Sequence, residues 1–131
     1  MQSRHVSTII RRSPEDVYEY AVDPDNLPRW AAGLTDAPIT RDGDAVVTDS
    51  PMGRIRMTFA PRNEFGVLDH WVTLPSGERT YNPFRVIAHP DGAEAIFTLR
   101  QLNASDEEFA RDASLVAADL ERLRGILEAA G

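Results

Sequence analysis

At 131 residues the chain is the size of one domain, large enough to bury a core and too short to hold a second catalytic module. Its 14 basic residues, all arginine, against 21 acidic ones leave a net charge of -7, which disfavours nucleic acid and anionic membrane surfaces as partners. Without cysteine there is no disulfide framework, thiolate nucleophile or cysteine zinc site; a metal would rest on His5, His70 and His89, whose spacing matches no ligand motif, so no metal or cofactor is expected.

The first residues lack a signal-peptide pattern, and nowhere do about eighteen apolar residues run together, so a cytoplasmic protein without a membrane span is expected. Residues 6–10 are rich in β-branched side chains, with Val6, Thr8 and Ile10 alternating against Ser7 and Ile9, and predict a first strand. Ser13-Pro14-Glu15-Asp16 then supplies a capping serine, a proline for the first helical position and a carboxylate three residues on. Val17, Tyr20 and Ala21 share one face of the short helix so begun. Asp23-Pro24-Asp25-Asn26 breaks it, and residues 27–32 predict a second helical turn carrying Trp30.

From residue 38 to 102 the pattern changes to period-two segments separated by five turn signals, among them Asp42-Gly43, Pro75-Ser76-Gly77 and Pro90-Asp91-Gly92. These delimit six strands near 37–41, 44–49, 53–60, 64–74, 79–88 and 93–102, antiparallel because the connections are too short for crossover helices. With the first strand that makes seven.

Ser105 and Glu108 form a capping box, and Phe109, Ala113, Val116, Leu120, Leu123, Leu127 and Ala130 follow in alternating steps of four and three. This is the stripe of a long amphipathic helix. It suits a coiled-coil contact or the cover of the chain's own sheet, and the apolar face of an antiparallel meander needs such a cover. No repeat, low-complexity tract or linker divides the chain, so residues 1–131 read as one domain.

The order of elements, with residues 6–10 followed by Ser-Pro-Glu-Asp-Val-Tyr (13–18), Asn-Leu-Pro-Arg-Trp (26–30) and the capped helix from Ser105, resembles the START-like or Bet v 1-like superfamily, also called SRPBCC or polyketide cyclase/dehydrase-like. The resemblance covers nearly the whole chain. Residues 63–72 with Asn-Pro-Phe-Arg-Val (82–86) look like a small bacterial subfamily of unassigned activity. It implies an α+β helix-grip fold: a curved seven-stranded antiparallel sheet, two short helices after strand one, and a long C-terminal helix. It also implies a cavity between sheet and helix, occupied in the superfamily by lipids, sterols, polyketides or plant hormones. The carriers of the likeness are fold markers, and fold does not fix function.

Alternation nominates the side chains facing such a cavity. In the strand over 64–74, Leu68, His70, Val72 and Leu74 share the more apolar face, and Asp69, Trp71 and Thr73 the other. An inward His70 orients a ligand, accepts a proton as a general acid/base, or satisfies a backbone carbonyl as a core histidine. Asp69 points away from it and makes no dyad with it. Asn82, Phe84 and Val86 alternate with Tyr81, Arg85 and Ile87, but Pro83 leaves the inward face of that strand open. Arg85 is the residue to hold a ligand carboxylate or phosphate, unless it is exposed or paired with a carboxylate of the chain. Met57, Phe59, Phe97, Leu99, Val116 and Leu120 lie on apolar faces and either line the cavity or fill the core. Trp30 and Tyr81 are candidates for its mouth, Trp30 also for an anchor of the short helices.

No glycine-rich phosphate loop, nucleophile elbow or paired-histidine helix is present in the sequence. The leading expectation is therefore binding or carriage of a small hydrophobic, lipid- or polyketide-like molecule. The alternatives are a cyclase- or dehydratase-like enzyme using His70 with Asn82 or Arg85, and a protein-interaction module with a filled cavity. As an assembly, both a monomer and a homodimer are compatible with the sequence.

Overall fold

The computed structural model describes residues 1–130. Strand β1 (Ser3–Ile10) leads into helix α1 (Pro14–Ala21). The Ser13 hydroxyl accepts the Asp16 amide at 3.1 Å, satisfying one of the free N–H groups of the first turn. Asp23 caps a 3-10 turn (Pro24–Asn26) in the same way, and α2 (Leu27–Trp30) follows directly. This turn–helix segment buries Leu27 and Trp30.

Strands β2 (Thr40–Asp42), β3 (Ala45–Ser50), β4 (Gly53–Phe59), β5 (His70–Thr73), β6 (Arg79–Asn82), β7 (Phe84–His89) and β8 (Gly92–Arg100) then pair antiparallel, and α3 (Asp106–Ala130) closes the chain. The capping box forms as predicted: the Glu108 amide donates to Ser105 Oγ and the Ser105 amide to Glu108 Oε1, both at 3.1 Å.

The eight strands do not make the single seven-stranded sheet that the resemblance implied. They divide into a five-stranded sheet, in the order β2-β3-β4-β5-β6, and a three-stranded sheet, β1-β8-β7. The expected strand over 79–88 is cut at Pro83, and the one over 64–74 keeps regular pairing only from His70 to Thr73. Pro83 has no N–H for a ladder. The next amide, Phe84, donates instead to the Asp69 carboxylate at 2.9 Å. Beyond this seam the chain before β5 crosses to the other sheet: Leu68 donates to the Phe84 carbonyl at 2.8 Å and Val86 to the Gly66 carbonyl at 2.9 Å.

Helix α3 packs chiefly on β1 of its own chain, with lesser contact to α2 and β8. Phe109, Ala113, Leu120, Leu123 and Leu127 of the stripe are buried, as a self-covering helix requires. Beneath them Ile10, Val17, Ile55 and Met57 are almost wholly withdrawn from solvent.

Candidate functional site: a buried histidine in an aromatic run

His70 opens β5 and faces inward, between its register partners Phe59 on β4 and Asn82 on β6. Its Nδ1 lies 3.0 Å from the Leu68 carbonyl oxygen. A carbonyl only accepts, so in the neutral ring Nδ1 carries the proton and Nε2 presents a lone pair. Burial pushes the imidazole pKa below its ordinary 6.5, against the weaker pull of the Leu68 carbonyl and the Asp69 charge. His70 is therefore neutral at physiological pH.

The imidazole packs between Phe59 and Phe97, with ring centroids 5.4 and 5.8 Å away. Phe97 meets Phe84 at 5.5 Å, and Phe84 meets Trp30 at 5.8 Å. An unbroken run of five rings thus leads from α2 through β7 and β8 to β5 and β4. Along it burial changes: Trp30, Phe84, Met57, Val72, Leu99 and Leu120 are buried, whereas Phe59, Leu74, Phe97 and Val116 are only half-buried. These last four come from β4, the residue after β5, β8 and α3, and they pack against the buried core while keeping part of their surface exposed. Asn82 is half-buried on the same face as His70.

Tyr81 and Arg85 belong elsewhere. Both are on the outer surface, where Arg85 Nε and an Arg85 terminal nitrogen donate to the two oxygens of Asp69 at 2.7 and 2.6 Å, and the Tyr81 hydroxyl donates to the same carboxylate at 2.7 Å. Tyr81 also packs on Trp71, at 4.9 Å between centroids. The hydrogen bonds from Arg85, aided by those from Tyr81 and the Phe84 amide and opposed by burial, hold the Asp69 carboxyl down at about 2. Arg85 thus serves the alternative use that its chemistry allows, an ion pair with a carboxylate of the chain, and Asp69 is the fastening of the sheet seam.

Two surface hollows flank α3. One, of about 300 Å³, is bounded by Gln2, Ser3, Arg4, Asp106, Phe109 and Ala110; the other, of about 560 Å³, by Arg11, Arg12, Glu128 and Ala130. Both lie at the ends of the helix, are rimmed mainly by polar groups, and contain none of the residues nominated from the sequence. Among the described residues no cluster of three or more His, Asp or Glu is arranged to hold a metal ion, and no helix is long and apolar enough to cross a membrane.

Sequence reasoning missed the polar contact that sets α2 against α3. Asp119, buried on α3, accepts the Gly33 amide at 2.8 Å and pairs with Arg122, which also donates to the Trp30 carbonyl at 3.2 Å. A Cβ on Gly33 would stand 2.8 Å from Asp119 Oδ1, so a larger residue there would have to displace the carboxylate. Burial raises the Asp119 pKa, opposed by the Gly33 and Arg122 bonds. Past Gly33 the segment is tied to the other side of the molecule, where the buried Thr35 and Thr48 hydroxyls lie 3.0 Å apart and Thr35 donates to the Asp49 carbonyl at 2.7 Å. The only signal for this bridge was an acidic side chain beside the apolar stripe with an arginine three residues on.

No family model and no curated protein matches the chain. Solved structures do. The Aha1 dimer from Colwellia psychrerythraea is similar with a TM-score of 0.78 at 18% identity, over 98% of this chain and 97% of that one. A protein from Mesorhizobium loti gives 0.75 at 13% identity over 99% of each chain. DynU16, from the dynemicin biosynthetic locus, gives 0.77 at 12% identity, covering 99% of this chain but 48% of its own. At such identities the likeness establishes a shared fold and nothing further.

Proposed function

We propose that the protein binds a small apolar molecule along the open flank of its core, between α3 and the five-stranded sheet, with the neutral imidazole of His70 at the floor. The observation that carries this reading is the half-burial of Phe59, Leu74, Phe97 and Val116, apolar side chains of both the sheets and α3 that pack against the core without being enclosed by it. Such surface is unfavourable to leave wet, at about 25 cal/mol per Å² of apolar area. A ligand of matching shape removes it from water. The START-like resemblance agrees with this reading, since the fold family uses the same interval between sheet and long helix for apolar ligands.

The enzymatic alternative is weakened, because its electrophilic partner Arg85 is turned outward and occupied by Asp69, which leaves His70 with Asn82 alone on the inner face. One observation favours the interaction-module reading. Phe65 is 81% exposed on a loop held firm by Asn63, whose side chain accepts the Phe65 and Val67 amides and donates to the Pro61 and Val67 carbonyls. Phe65→Ser separates the two: it abolishes capture of a protein partner but leaves ligand uptake untouched.

A direct test adds bulk to the flank. Val116→Trp is expected to weaken binding of the neutral dye Nile red by about tenfold or more, with the thermal midpoint of the ligand-free protein preserved. Undiminished dye affinity in a folded Val116→Trp protein would place the binding surface elsewhere.

A further inference from the structure

The strands carry four large apolar side chains that stay more than a third exposed, Ile9, Trp71, Tyr81 and Ile87, and all four point to the outer face of the sheets. The outer face of an antiparallel sheet is ordinarily polar. Along β8, in the middle of the three-stranded sheet, Glu94, Ile96, Thr98 and Arg100 take this outer face and alternate with the core-facing Ala93, Ala95, Phe97 and Leu99. The register sets Glu94 between Ile9 of β1 and Ile87 of β7. This carboxylate flanked by isoleucines takes part in no ion pair among the described residues, and neither does the exposed Arg100. The two charges stand symmetrically about the level of Phe97, about 20 Å apart along the strand. Past the Phe84–Phe97 pair the Thr98 amide donates to the Pro83 carbonyl at 2.9 Å, which continues the register and brings Tyr81 level with Arg100.

We propose that this outer face docks a second copy of the chain, with the two β8 strands stacked antiparallel about a two-fold axis at the level of Phe97. That rotation sets Glu94 of each copy against Arg100 of the other, and Ile87 of each against the other's Tyr81. A two-fold contact requires a patch that complements itself, and a strand acidic at one end and basic at the other does so only when turned end for end. Stacked sheet faces keep their strand directions within about 30° of one another's axis, which this arrangement satisfies. A face a few strands wide and about 20 Å long belongs to the small, reversible class of interface. It lies opposite the inner face proposed for the ligand, so the two readings stand or fall separately.

Sedimentation velocity of the whole chain over a concentration series is the test. The wild-type protein is expected to pass from monomer to dimer as concentration rises, and to dissociate more readily in high salt. Glu94→Arg and Arg100→Glu each put like charges at both ends of the contact and should weaken self-association about tenfold or more. Ile87→Ser, in its apolar part, should weaken it too. An equal mixture of the Glu94→Arg and Arg100→Glu proteins again opposes unlike charges across the contact and should associate with near wild-type affinity, a recovery that misfolded variants do not give.

A wild-type protein that stays monomeric at about 500 μM would overturn the proposal. So would a dimer whose affinity ignores both charge reversals, which would place the contact elsewhere, or charge variants that weaken the dimer and do not recover on mixing.

Discussion

Asp69→Asn is expected to lower the unfolding free energy by about 3 kcal/mol at neutral pH, as loss of one member of a buried hydrogen-bonded charge cluster generally does. The Asp69 side chain is 5% exposed and receives the Phe84 amide, the Tyr81 hydroxyl and two nitrogens of Arg85. The asparagine oxygen can still accept the Phe84 amide, and Arg85 is half exposed and regains water, so the cost falls on the lost charge and on the second oxygen, replaced by an NH2 group that faces donors from Arg85 and Tyr81. The same substitution should alter the acid response. A carboxyl at about 2 in the folded protein, against 3.8 for a free aspartate, contributes stability that is present above pH 3.8 and lost as pH falls through about 2. Urea unfolding followed by circular dichroism between pH 7 and pH 2 should show that acid loss in the wild type and a shallower one in the variant. Stability within about 0.5 kcal/mol of wild type would mean that the seam does not depend on this carboxylate.

Gly66→Ala should cost about 2 to 4 kcal/mol, the combined weight of a left-handed backbone and a forced displacement of packed atoms. Gly66 has φ +71°, and a Cβ built on it falls 2.1 Å from the Val86 carbonyl oxygen. The obstacle is backbone, so no rotamer relieves it; β7 must move away from the segment whose Gly66 carbonyl accepts the Val86 amide. Gly77→Ala is the control. Gly77 also has a left-handed φ, +89°, but nothing lies within 4 Å of its added Cβ, so it should lose only about 1 kcal/mol. Equal losses at the two positions, measured by denaturant unfolding, would show that torsional strain and not the sheet-to-sheet approach makes Gly66 necessary.

The elements most legible in the sequence were those encoded by local rules. Ser13 and the Ser105–Glu108 pair announced two helix starts, and the stripe from Phe109 to Leu127 announced which face of α3 is buried, because capping and helical periodicity act over a few residues. Alternation likewise gave the inward face of β5 and hence the burial of His70. What alternation does not encode is where a strand stops belonging to its sheet. Pro83 signalled a disturbance, but dividing the sheet took the long-range partnership of Asp69 with Phe84, and no spacing rule links residues 69 and 84. The same blindness hid the Asp119–Gly33 contact, which joins residues far apart in the chain through one backbone-to-carboxylate hydrogen bond. Among the nominated site residues, the sequence could list Phe59, Phe97 and Val116 beside Met57 and Leu120, but not rank them. Half-burial of the first three and sealing of the last two depend on where α3 lies over the sheet, a tertiary property.

Native mass spectrometry of the purified protein, followed by denaturing extraction and analysis of whatever small molecule is released, tests the apolar binding site most directly. The expected result is a stoichiometric apolar passenger, or its uptake by stripped protein, that Val116→Trp excludes. A protein that purifies empty and takes up no neutral apolar probe, while folded, would contradict it.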